Sequence, residues 1–223
     1  MNLLGESLLS AAIPSDDFLW QRIVVSLSGL VYWGGVLVQA RRVRKRIGRT
    51  PNLKPKGTKE QLLWVGWTLV ILCWIFQPLW VRGTGSWHGV LWVSKHAPRM
   101  NEGVGVFLIV TGYAATLWCY AAMGAAWRIG IDEKGTSKLV KSGPYRAIRH
   151  PIYGFQMTML MGAALLLPTW ISLAILVIHY VCATIKAIDE ERHLAGVFGE
   201  EYREYIKETG RFAAKFGGGS LPR

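Results

Sequence analysis

Apolar residues are gathered into four long runs, at 23–40, 61–81, 103–127 and 152–187, and no Asp, Glu, Lys or Arg falls inside the first three. Each of these three is long enough for a helix to cross a hydrocarbon layer of about 30 Å. The fourth is too long for one crossing at about 1.5 Å per residue. Pro168 sits near its middle, and the residue before a proline is disfavoured in the helical conformation. The fourth run therefore predicts a tight helical hairpin, 152–167 and 169–187. The pattern predicts an all-α integral membrane protein with about five transmembrane helices.

Polar segments complete the pattern. Asp189 to Glu208 reads DEERHLAGVFGEEYREYIKE, with Leu194, Val197, Phe198, Tyr202, Tyr205 and Ile206 at helical spacing among seven carboxylates. This predicts an amphipathic C-terminal helix, broken near Gly199, lying on the membrane surface. Residues 86–97, with Trp87, Val90, Leu91 and Trp92, read as an interfacial helix whose tryptophans act as belt anchors. The division that follows is an N-terminal membrane region over 1–102, a core over 103–210 and a flexible tail over 211–223.

Composition and charge refine the picture. The 223 residues are 51% hydrophobic and 18% charged, which excludes a disordered chain. Three cysteines, all in apolar runs, do not make a disulfide framework. The net charge of +12 is concentrated in loops. Arg41, Arg42, Arg44, Lys45, Arg46, Arg49, Lys54, Lys56 and Lys59 fill one segment between two apolar runs. Six more cations lie between 128 and 149, whereas residues 1–17 hold no Lys or Arg. A nucleic-acid binder would spread such charge over a face interleaved with aromatics. Here the asymmetry points to membrane topology, with the N-terminus outside and both basic loops and the C-terminus in the cytoplasm.

Candidate chemistry gathers at that cytoplasmic face. Lys186 precedes Glu190 by four residues at the mouth of the last span, and ionisable groups at a membrane mouth mark function. The segment SKLVKSGPYRAIRHPIYG places His150 and Pro151 at the start of a span, with Tyr145 and Tyr153 close by and Lys138, Lys141, Arg146 and Arg149 around them. Such a helix start suits a polar, partly anionic ligand. No HExxH, CxxC or GxSxG occurs, and no metal site is expected. Gly103 and Gly105 lack a third glycine and read as helix-packing positions rather than a dinucleotide loop. His179, alone in a span, reads as a packed or hydrogen-bonded histidine.

Ser142-Gly143-Pro144-Tyr145, Arg149-His150-Pro151-Ile152-Tyr153, Glu190-Glu191 and Phe198-Gly199-Glu200-Glu201-Tyr202 together resemble the isoprenylcysteine carboxyl methyltransferase family. Phospholipid N-methyltransferases share a related C-terminal pattern. The resemblance covers about residues 127–205. It implies S-adenosylmethionine bound in a cytoplasmic pocket, with Lys138, Leu139, Val140, Tyr145, His150, Pro151, Tyr153 and Glu190 on cofactor positions. It further implies a lipophilic or lipidated acceptor entering laterally from the bilayer, among membrane lipids. Two positions depart from the family pattern. Gly154 follows Tyr153 directly, where the family commonly has an intervening residue. Lys186 stands where the family has an acceptor-binding arginine, and lysine offers a point charge instead of a planar fork. Lys186 and Glu190 are the residues expected to carry the chemistry: Lys186 for an anionic acceptor, Glu190 as base for an amine one. Three other readings stand beside this one: a phospholipid amine N-methyltransferase, an NADPH-dependent membrane reductase and a non-catalytic membrane scaffold.

Overall fold

The computed structural model describes residues 18–48, 55, 57–80, 98–127 and 139–215. They form six α-helices: α1 (Leu19–Ile47), α2 (Gly57–Phe76), α3 (Pro98–Met123), α4 (Pro151–Leu166), α5 (Trp170–Phe198) and α6 (Glu200–Glu208). Four helices, α1, α2, α3 and α5, are long and apolar enough to cross a membrane. The fifth expected crossing, α4, has 16 residues, a rise of about 24 Å. The expected interfacial helix at 86–97 lies outside the described residues.

The helices face inward and outward in the manner of a membrane bundle. On α1, Val25, Tyr32, Val36 and Val43 are buried at helical spacing, while Leu27, Leu30, Val31, Leu37 and Val38 are exposed. Such a continuous exposed apolar face is what a lipid environment accommodates. α1 runs past the expected end of its span and stops at Gly48, which adopts φ 70° and donates its N–H to the Arg44 carbonyl at 3.0 Å. Arg44, Lys45 and Arg46 occupy this last turn, where cations suit the negative end of the helix dipole.

α3 and α4 make the most extensive helix pairing. A Cβ on Gly162 would lie 2.5 Å from the Gly105 carbonyl oxygen, and one on Gly112 would lie 2.8 Å from that of Phe155. Close approach therefore depends on Gly105, Gly112 and Gly162. Gly103 meets nothing within 4 Å and takes no part, contrary to the expectation for that pair. The expected boundary at 102/103 falls inside α3.

The hairpin forms as Pro168 requires. α4 opens with Pro151 at its first position, where a missing N–H costs nothing, and ends before Pro168. Thr169 then caps α5 by accepting the Ser172 N–H at 3.0 Å. Gln77 fastens this turn to the end of α2: its Nε2 donates to Ser172 Oγ at 2.8 Å and its Oε1 accepts from Thr169 Oγ1 at 3.0 Å. α5 continues without interruption to Phe198, so the second hairpin helix and the first part of the amphipathic segment are one rod. The break comes at Gly199, with φ 55°.

Candidate functional site

The site forms where the first turn of α4 meets the polar end of α5. His150 is the N-cap residue of α4 and is buried, and Tyr153 lies on the first turn. The two rings stack at 5.9 Å with an interplanar angle of 18°. From α5, Glu190 reaches both: Tyr153 Oη donates to Glu190 Oε1 at 3.2 Å, and His150 Nδ1 lies 3.3 Å from Glu190 Oε2. Trp67 of α2 covers the far face of this group, stacked on Tyr153 at 6.0 Å and 24°.

Glu191 has a different task. Arg149 Nε donates to its Oε1 at 3.0 Å, and Arg211 grips it with two bonds, Nε to Oε1 at 3.0 Å and Nη2 to Oε2 at 2.8 Å. Arg149 also donates through Nη1 to the carbonyl of Thr209 and to that of Ile206. His150 Nε2 lies 3.4 Å from Glu191 Oε1, but no hydrogen bond forms to it, so this contact is ionic. Two arginines on one carboxylate give a strongly charge-assisted junction. Burial works to raise the Glu191 pKa, but the close His150 ring and the bonds from Arg211 and Arg149 overcome it and hold the group well below the usual carboxylate range. Burial likewise disfavours the His150 cation, but Glu190 and Glu191 outweigh it and raise the His150 pKa.

A strap closes the group. Gly210 N donates to the Ala147 carbonyl at 3.0 Å, Arg149 N to Gly210 O at 2.8 Å, and His150 N to Arg211 O at 2.9 Å. Phe212 then sets its edge against His150, Tyr153 and Tyr180, at 6.4, 6.5 and 6.4 Å. Arg211, Phe212 and Lys215 belong to the stretch expected to be a flexible tail; here they are bonded or packed, and Lys215 donates to the carbonyls of Ile206 and Lys207. The strap also accounts for Gly154. A Cβ there would lie 2.2 Å from the Phe212 carbonyl oxygen.

Of the residues singled out in the sequence, His150, Tyr153 and Glu190 come into direct contact. Pro151 opens α4 beside them. Tyr145 is buried in the short helical turn Gly143–Arg146, where its carbonyl accepts the Tyr205 hydroxyl at 2.5 Å. Leu139 and Val140 lie half-buried just before that turn, and Lys138 is outside the described residues. Lys186 is buried on α5 but does not pair with Glu190: its Nζ donates to Glu60 Oε1 of α2 at 3.1 Å. Lys59 repeats the link one step along, bonded to Asp189 at 2.7 Å. Glu191, Arg211, Phe212 and Glu60 were not singled out as site residues; only the Glu190-Glu191 doublet carried a signal for any of them. Among the described residues no three His, Cys, Asp or Glu side chains gather as a metal site would need.

Residues 101–201, which hold most of α3, all of α4 and α5 and the His150–Tyr153–Glu190 group, match the family model described as phospholipid methyltransferase. This relates the region to membrane methyltransferases. The chain is also 28% identical over 149 residues to the cobalt-zinc-cadmium resistance protein CzcN of Cupriavidus metallidurans, a match covering 66% of this chain. The chain spans about 62% of the length of that relative.

Proposed function

We propose that the protein is an integral-membrane methyltransferase that uses S-adenosylmethionine to methylate a lipophilic acceptor drawn from the bilayer. The observation that carries this reading is the His150–Tyr153–Glu190 contact group, lying within the stretch that matches the phospholipid methyltransferase family. The donor set suits the cofactor. Glu190 offers a carboxylate to a hydroxyl or ammonium group, and the rings of His150, Tyr153 and Phe212 gathered beside it suit a sulfonium cation. Lys138, Leu139, Val140, Tyr145 and Pro151 complete the cofactor side, as their place in the motif implies.

When bound, the sulfonium supplies an already activated methyl group. The chain has only to align an acceptor and keep water away. The stacked Trp67, Tyr153 and His150 rings wall the site on its apolar side. Glu190 holds the charge facing it and serves as base where the acceptor is an amine. Lys186, occupied by Glu60, is the less suited to gripping a free carboxylate, which favours a phospholipid-type acceptor over a prenylcysteine one. A cytoplasmic orientation for the site is supported by the described cations Arg41, Arg42, Arg44, Lys45, Arg46 and Lys59, which gather at the same end of the bundle.

Titration calorimetry of the purified protein with S-adenosylmethionine, its demethylated product and NADPH tests the reading. Binding of the first two and not the third is expected. His150→Ala and Glu190→Gln should each weaken S-adenosylmethionine about tenfold or more, or ~1.4 kcal/mol. Unchanged binding in both variants overturns the assignment. A cysteine at Asn52 should react with an impermeant reagent only once cells are opened; labelling of intact cells reverses the orientation.

A further inference from the structure

Gln156 lies on α4 one turn beyond Tyr153 and is only 4% exposed. Its Oε1 accepts the Tyr32 hydroxyl of α1 at 3.2 Å, which orients the amide. Its Nε2 has no hydrogen-bond partner among the described residues. Five residues from the start of α4, it stands about 8 Å into the bundle. Leaving both amide donors unused in an apolar interior carries their desolvation cost with no bond to offset it, so such a group calls for a partner. A second orphan donor adjoins the same tyrosine. Trp33 meets the Tyr32 ring edge-on at 5.4 Å, and its buried Nε1 has no partner among the described residues.

From these groups we infer that Gln156 holds an uncharged carbonyl oxygen of a lipophilic ligand inside the bundle, and so selects the acceptor. This rests on the methyltransferase reading, since the ligand is taken to be the acceptor whose reactive end lies one turn away, beside Tyr153. The chemistry follows from what surrounds the amide. N–H donors call for an oxygen. Residues 23–40, 61–81 and 152–185 carry no Asp, Glu, Lys or Arg, so an anion at this depth would be left without a counter-charge. The cation nearest along α5, Lys186, is already bonded to Glu60. An ester or amide carbonyl accepts a hydrogen bond without bringing charge.

Thermal unfolding of the full chain in detergent, with ethyl palmitate or octadecane at equal concentration, tests this. In the unaltered chain the ester should raise the midpoint by about 2–4 °C more than the hydrocarbon. Gln156→Leu should abolish that difference; Gln156→Met, unbranched and without a donor, serves if the leucine variant does not fold. Equal shifts from the two probes in the unaltered chain, as when an ordered water occupies the amide, overturn the inference. So does a difference that survives in the variant. S-adenosylmethionine titrated into the same samples separates the two readings: absence of cofactor binding overturns the methyltransferase, while the ester–hydrocarbon difference reports on Gln156 by itself.

Discussion

The Lys186 ammonium lies 3.1 Å from the Glu60 carboxylate, so the cation at the mouth of α5 is held by α2 and not by Glu190 on its own helix. Beside it, Lys59 and Asp189 pair at 2.6 Å. The two pairs tie α2 to α5 where both leave the apolar layer. Lys186 is 8% exposed at its side chain, so its pair counts for more than the surface pair.

Removal of the Lys186 charge should therefore disturb the α2–α5 contact and leave the cofactor group in place. Lys186→Met is expected to keep S-adenosylmethionine affinity within about twofold, or ~0.4 kcal/mol. A double-mutant cycle with Glu60→Gln, read by thermal unfolding, should give a coupling of about 0.5–3 kcal/mol. Cofactor binding lost in Lys186→Met alone contradicts this placement.

Glu191→Gln should be far more damaging to the fold than its neighbour's substitution. It leaves the buried Arg149 guanidinium and Arg211 without their carboxylate, and breaking such a junction costs about 3–5 kcal/mol. Glu190→Gln retains a polar partner for Tyr153 and His150 and should cost less. Parallel unfolding of the two variants in detergent ranks them; equal losses refute the division of labour between these adjacent acids.

The junction also predicts a pH profile. The His150 pKa is raised above 6.5, so its ion pairing contributes fully below that pH and is lost as pH rises through the folded-state value. Glu191 runs oppositely: its contribution is present above its ordinary 4.5 and disappears as pH falls through its lower folded-state value. The unfolding midpoint should fall on the alkaline side of 6.5 by an amount that His150→Gln removes.

Gly154→Ala should unseat the strap. The added methyl would sit 2.2 Å from the Phe212 carbonyl, and overpacking of this kind costs about 1–3 kcal/mol. Limited trypsin digestion should cut after Arg211 faster in this variant than in the unaltered chain. Unchanged cleavage means the strap yields without leaving.

Hydropathy made the helices and the hairpin legible, because a run free of charge and a mid-run proline act locally. The His150–Tyr153–Glu190 group was legible only through the family resemblance its motifs carry; helical spacing by itself paired Glu190 with Lys186. Glu60 was not, since it meets Lys186 from 126 positions away and no periodicity links them. The strap was hidden for another reason. Gly210 pairs through its backbone with Ala147 and Arg149, and backbone pairing leaves no mark on side-chain pattern. The glycine at 154 was legible only as a departure; the Phe212 carbonyl supplies its cause.

The continuity of α5 from Trp170 to Phe198 has a mechanical consequence. His179, whose Nε2 lies 3.3 Å from the Tyr153 carbonyl, and the two carboxylates at 190 and 191 share one rigid shaft. Their angular phase is fixed by the number of residues between them. One alanine inserted between Val181 and Asp189 would turn Glu190 and Glu191 by about 100° around the axis. Both acids would swing away from His150 while α4 stayed where it was, so the distance along the shaft is as much a part of the site as the side chains it carries.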